Sequence, residues 1–215
     1  MSAVLKKACS ICSQAFERAY VVLNDTNVQG TFEVKAMVYR NYNSPAEQIL
    51  ESTAFESTPV NLKSFLNNVQ ASGGWGPEAI EVAMQAINKE PELDQIILIG
   101  DVMANPPDEV TTKRKNRGES YWNARGYPKT EMEQELAKFN NKCPIHTFYI
   151  RAGEYFTPLS KKTGGESDRF DVNSPRASED LTAFIVCQIL EQIERKTPNN
   201  GGNLNLVAAY KKMYS

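Results

Sequence analysis

The run Asp94-Gln-Ile-Ile-Leu-Ile-Gly-Asp101 sets the strongest limit on what this chain can fold into. Five of its eight residues are apolar or Gly, and they follow one another without alternation. A strand covered on both faces by helices reads this way, and such strands belong to parallel sheets. In open α/β sheets ligands bind beyond the carboxyl ends of the strands, which places Asp101 in the expected crevice.

The remaining pattern fits that frame. Val4, Ala8, Ile11, Ala15, Ala19 and Val22 recur at helical spacing and predict a helix over residues 3–22. Residues 31–42 alternate as a strand, and residues 49–55 read as a shorter antiparallel neighbour after a tight turn. Thr58-Pro59 opens a helix to about Ala71, with Thr as N-cap and Pro at its first position. Pro77-Glu78 starts another, with Ile80, Ala83, Met84 and Ile87 on one face, and Glu78 suits the dipole of its first turn. Residues 102–128 are polar, lack periodicity and predict a long loop. A helix at 130–140, a buried-type strand at 143–150, and a helix at 155–162 capped by Gly164-Gly165 follow. A last short strand is expected at 170–172 and a well-buried helix at 178–195. Residues 197–202 read as a linker, and 203–215 form a tail without a clear pattern. The expected fold is therefore α/β, with a doubly wound, mostly parallel sheet, helices on both faces and one antiparallel edge strand.

Composition narrows the function classes. With 215 residues the chain suits one large domain, residues 1–196, followed by a linker and tail at 197–215. A net charge of −2 argues against a partner held through phosphates. No apolar run approaches a membrane span, and the N-terminus lacks the apolar core of a signal peptide, so a cytoplasmic setting is expected. Cys9 and Cys12 form a C-x-x-C on the apolar side of a helix. Cys143 and Cys187 stand apart, so core packing is favoured over a zinc or redox site.

Five segments in order resemble a von Willebrand factor A-type domain, of the variety associated with alpha-kinases. They are Val34-Lys-Ala-Met-Val-Tyr-Arg-Asn-Tyr42, Gly73-Gly-Trp-Gly-Pro-Glu-Ala79, and Ile96-Ile-Leu-Ile-Gly-Asp101 with Pro106-Pro107 beyond it. Further on come Ile145-His-Thr-Phe-Tyr-Ile150 and Leu159-Ser-Lys-Lys-Thr-Gly-Gly-Glu-Ser167. The resemblance implies a metal-ion-dependent adhesion site at the strand C-termini. That site takes an Asp-x-Ser-x-Ser turn after the first strand, a Thr or Asp from a second loop and an Asp from a third, because a hard divalent cation needs several oxygen ligands. This chain begins where the family's first strand and Asp-x-Ser-x-Ser should already have ended. The family's second-loop Asp falls on Trp75. Asp101 alone remains as a vestigial ligand, so no cofactor is expected, and Mg²⁺ only if upstream residues complete the site. The missing central strand would leave two edges unpaired. An upstream segment of a longer chain, a strand from another copy in a homo-oligomer, or the tail segment Leu204-Asn-Leu-Val-Ala-Ala209 would fill the gap.

The expected function is non-enzymatic binding of a protein partner at the strand C-terminal face, formed by Trp75, Asp101 and the loop 103–128. Trp75, Asp101, Tyr121 and Trp122 are the candidate contact residues, since aromatic side chains anchor interfaces. Trp75 also fits as a lid over the metal position. His146, within a strand, reads as a core histidine rather than a general base. The Gly-rich turn at 73–76 lacks the lysine of a phosphate loop and does not follow a strand. A fragment of, or accessory module to, a nucleotide-dependent α/β enzyme or kinase is the alternative.

Overall fold

The computed structural model describes residues 2–28, 32–72, 74–197 and 205–214. In chain order the elements begin with helix α1 (Ser2–Asp25), strand β1 (Met37–Tyr39), the single turn α2 (Ala46–Ile49), strand β2 (Leu50–Ser52) and helix α3 (Pro59–Asn68). Helix α4 (Ile80–Ile87), strand β3 (Ile96–Gly100), and helices α5 (Pro107–Arg114), α6 (Glu119–Ala124) and α7 (Met132–Phe139) follow. Strand β4 (Ile145–Tyr149), helix α8 (Gly153–Thr163), strand β5 (Ser167–Arg169) and helices α9 (Pro175–Lys196) and α10 (Leu206–Tyr214) complete it. The chain is α/β and divides into two compact units.

One unit comprises Met1–Ala36, Thr53–Gln70 and Asp171–Ser215. Helix α1 packs there on α3, α9 and α10. Its buried side chains Ile11, Ala15, Phe16, Ala19, Val22 and Leu23 fall on one helical stripe. Phe16, Leu62 and Leu66 form a cluster to which Cys9, Cys12 and Phe32 add. Helix α9 starts cleanly because the Ser174 hydroxyl accepts from Ala177 N (3.1 Å) and Pro175 needs no donor partner at the first position. Its length buries Leu181, Ile185, Val186, Leu190 and Ile193. The tail is helical from Leu206, with Leu206 and Tyr210 one turn apart and both buried. The described tail residues are therefore helical where a strand over Leu204–Ala209 was one expectation; Leu204 and residues 198–203 lie outside the described residues. Within the same unit Val34 pairs with Glu56, and Ala36 N donates to the Thr53 hydroxyl (3.1 Å). The side chain takes a ladder position there, so the strand expected over 31–42 is short.

The other unit comprises Met37–Ser52 and Ala71–Phe170. Its strands fall into two sheets rather than one. β1 pairs antiparallel with β2 in the register Val38↔Glu51. β3, β4 and β5 form a parallel sheet in that order. The expected doubly wound sheet with an antiparallel edge strand is thus replaced, among the described residues, by a three-stranded parallel sheet and a separate two-stranded ribbon. Parallel neighbours need long crossovers, supplied by α5 to α7 between β3 and β4 and by α8 between β4 and β5. Side chains of α4, α7 and α8 (Ile80, Met84, Phe139, Phe156, Leu159) meet Ile145, Ile96 and Leu98 of the sheet in one apolar cluster. A second cluster gathers Tyr42, Ile49, Val82, Val110 and Trp122. Gly165 permits the close return of the chain after α8, for a Cβ there would lie 2.1 Å from the Ile145 carbonyl oxygen.

The stretch expected as a long loop holds two helices. Pro107 at the start of α5, acids Asp108 and Glu109 in its first turn and Lys113 and Arg114 in its last supply favourable helix ends. Only Val110 and Arg114 of α5 and Trp122 of α6 are buried, which explains why no apolar stripe marks them.

Candidate functional site

Three segments of the second unit meet beyond the carboxyl end of β3. They are the exit of β1 at residues 40–44, residues 74–79 before α4, and residues 101–105 after β3. Backbone bonds stitch them together. Glu78 N donates to Met103 O (3.0 Å), Asn105 N to Glu78 O (3.0 Å), and Ala79 N to Arg40 O (3.0 Å). Side chains reinforce the junction. Lys113 Nζ donates to Pro77 O (2.9 Å) and Asn105 Oδ1 (2.6 Å), and Asn41 Nδ2 also donates to Pro77 O. Asn105 Nδ2 donates to Glu81 Oε1 (3.1 Å), which also accepts from the Tyr42 hydroxyl (3.1 Å).

Two acids are enclosed here. Glu81 is 0% exposed and Glu78 6% exposed, and the Oε2 atom of each is buried with no hydrogen-bond partner among the described residues. Burial pushes the Glu78 carboxyl up to about 7, helped by the nearby Asp101 charge and opposed by Lys113. Burial likewise pushes Glu81 to about 7 against hydrogen bonds from Asn105 and Tyr42. Both therefore exchange protons near neutrality. Enclosed as they are, they hold the junction rather than touch a solute. Tyr39 is raised too, by burial first and then by Glu78 and Asp101.

The expected site residues separate. Asp101 sits at the end of β3, partly exposed, with Arg151 as ion-pair partner (3.3 Å). Among the described residues no group of three or more His, Cys, Asp or Glu side chains converges as a metal ion requires. Trp75 is 39% exposed at a loop tip held by Gly74 and Gly76, whose φ of 115° and 73° suit glycine. Met103, 37% exposed, stands on the adjoining loop. Trp122 is a correction: it is 0% exposed, packs edge-on against Tyr42 (5.2 Å), and donates its Nε1 hydrogen to Arg114 O (3.3 Å). It fills the core and presents nothing to a partner. Tyr121 is half-buried; its hydroxyl accepts from Ala46 N (3.2 Å) and Arg125 lies over its ring (3.9 Å).

Glu78, expected to serve a helix dipole, instead lies two residues before α4 in a paired segment. Glu81 and Asn41 were not expected at the site, and Met103, Asn105 and Lys113 were expected there only as parts of the loop 103–128. Glu81 carried a readable signal, an acid inside the apolar run Ala79–Met84. The two asparagines carried none. His146 lies in β4 and its Nδ1 accepts from Glu166 N (3.1 Å), with burial lowering its pKa, as suits a neutral core histidine. The four cysteines are free thiols, and burial pushes Cys12 up to about 12.

Fold and site together define an α/β protein with a polar, rigidly stitched junction at a strand end and two large apolar side chains exposed beside it. No family model, curated protein or solved structure matches this chain. No helix among the described residues is long and apolar enough to cross a membrane.

Proposed function

We propose that the chain is a non-enzymatic protein-interaction module whose contact face is centred on Trp75 and Met103, with Asp101 and Arg151 at its rim. The observation that carries the reading is the exposure of these two large apolar side chains on adjoining loops, joined through the Glu78 N to Met103 O bond. Large apolar side chains ringed by polar groups are the usual anchors of protein interfaces. The loops are braced at Pro77 by Lys113 and Asn41, so little ordering cost falls on binding. The order of segments resembling an A-type domain supports the same assignment, although the sheet departs from that family's. The net charge of −2 favours a protein over a nucleic acid.

The test is quantitative capture of binding proteins by the wild-type chain, by Trp75→Ser and Met103→Ser, and by Val60→Ser, which alters an exposed residue of the other unit. Losing an aromatic anchor worth about 2 kcal/mol weakens binding roughly 30-fold. Val60→Ser should bind as wild type. Unchanged binding by Trp75→Ser and Met103→Ser would refute the face.

A further inference from the structure

Residues 111–129 carry six Lys or Arg and one acid, in a chain whose 24 basic residues are outnumbered by 26 acidic ones. Positive charge is thus concentrated on the second half of α5, on α6 and on the turns that follow them. Part of it serves the fold. Arg114 is fully buried and forks onto Glu119 (2.8 and 2.6 Å), the segment's own acid, beside the rings of Tyr42 and Trp122. Lys113 turns inward to Pro77 O and Asn105 and also pairs with Glu109 (2.7 Å). The others face solvent: Lys115, Arg117, Arg125 and Lys129 are exposed.

Two of these cations share one ring. The guanidinium carbon of Arg125 lies 3.9 Å and that of Arg117 5.1 Å from the centroid of Tyr121. The ring is held at both ends: Ala46 N donates to its hydroxyl (3.2 Å), and Trp122 packs edge-on against it (5.1 Å) from the core. Gly118, at φ 82°, turns the chain between Arg117 and Tyr121. A guanidinium stacked on an aromatic still presents its edge N–H groups to a carboxylate and has less freedom to lose on binding. Among the described residues no acid pairs with Arg117 or Lys115, and Arg125 has only Glu47, at 3.5 Å with both side chains exposed. An exposed pair of that kind contributes little, so a partner's carboxylate displaces it readily.

The basic strip adjoins the Trp75 face. Lys113 bonds Pro77 O, two residues beyond Trp75, and Arg117 follows Lys113 by four residues, its N–H donating to Arg114 O (3.3 Å). The path from Trp75 through Pro77 and Lys113 to Arg117 is at most roughly 25 Å, which an extended segment of about eight residues spans. One polypeptide therefore reaches both the apolar anchors and the cations. A nucleic acid fits less well. Asp108, Glu109 and Glu131 flank the segment, and outside it acids outnumber bases, so a polyanion running beyond the strip is repelled. A short acidic stretch of a protein ends before that repulsion begins.

We propose that the partner held at the Trp75–Met103 face carries several Asp or Glu residues within about eight residues of its apolar anchor, and that this acidic stretch lies along α5 and α6 and pairs with Arg117, Arg125 and Lys115. The inference rests on the reading of that face as a protein contact and adds the partner's charge to it.

NMR of the arginine Nε–H and tryptophan Nε1–H groups of the full chain tests it, with acetyl-Leu-Phe-Leu-Gly-Ser-Gly-Glu-Asp-Glu-Asp-amide as the probe. The peptide should shift the Arg117, Arg125 and Trp75 signals together and saturably, and its binding should weaken several-fold between about 50 and about 200 mM salt. Arg117→Glu and Arg125→Glu should each weaken it at least about fivefold, while Lys161→Glu, at an exposed position of α8, should bind as wild type. Weakening by the arginine variants alone would keep the acidic strip and refute the Trp75 anchor. Weakening by Trp75→Ser alone would overturn the inference and leave the face. Equally tight binding of the peptide with Lys at its four acidic positions would also overturn it. So would equally tight binding of a thymidine pentanucleotide, whose four phosphates match the peptide's charge, since the strip would then be a nucleic-acid site.

Discussion

Replacing Glu81 by Gln should reverse part of the chain's pH dependence of stability. The carboxyl is fully enclosed and its folded value is about 7 against an ordinary 4.5. A raised carboxyl contributes its full stability below the unfolded value and loses it as pH rises through the folded one. The difference is worth about 3 kcal/mol at ~1.4 kcal/mol per pH unit, lost between about pH 4.5 and pH 7. The substituted amide stays neutral, so the stability of Glu81→Gln relative to wild type should rise by about 3 kcal/mol from pH 4.5 to pH 8. His146 titrates in the opposite direction and persists in the variant, so it cancels in the comparison; Glu78 titrates in the same direction and is itself raised in part by Glu81, so its share changes with the substitution and adds to the difference. The assay is urea unfolding in a Trp75→Phe background, followed by the fluorescence of Trp122. That ring packs on Tyr42, whose hydroxyl donates to Glu81. A wild-type minus variant difference that does not change with pH would refute the reasoning.

Two further perturbations probe the framework. Gly165→Ala drives a Cβ to within 2.1 Å of the Ile145 carbonyl, a backbone atom that cannot swing aside, and should cost about 3 kcal/mol by thermal melting; a wild-type melting temperature would contradict the placement. Cys12, with its thiol pushed up to about 12, should react with an aromatic disulfide at pH 8 at least about tenfold more slowly than a free cysteine. A fast reaction there would restore a redox role for the C-x-x-C.

Helices α1 and α9 and strand β4 were legible because each buries a continuous stripe or run, and β3 because its aliphatic run is unbroken, although residues 96–99 are only half-buried. The α8 cap at Gly164 was legible because its φ of 77° calls for glycine. Helices α5, α6 and α10 were not, since each is held by only one or two buried side chains, such as Val110, Trp122 or the Leu206–Tyr210 pair. Two anchors define no period. The sheet itself misled for another reason: aliphatic runs announce burial but not which edges will pair, and among the described residues β1 pairs only with β2 and β3 only with β4. At the site, Asp101 was readable from its place at a strand end. Glu81 was readable as an acid inside an apolar run, whereas Asn41 and Asn105 acquire their roles only when distant segments meet. Trp122 misled because an aromatic amid polar residues looks exposed until the helix that buries it is known.

Trp75 offers the most direct test of the central claim, that its loop face binds a protein. The chain has two tryptophans, one 39% exposed and one 0% exposed. In a Trp122→Phe background, acrylamide should quench Trp75 efficiently in the free chain. Addition of a protein captured by the wild-type chain should cut the quenching constant several-fold and shift the emission to the blue, as the indole leaves water. A quenching constant unchanged at saturating partner would contradict the account.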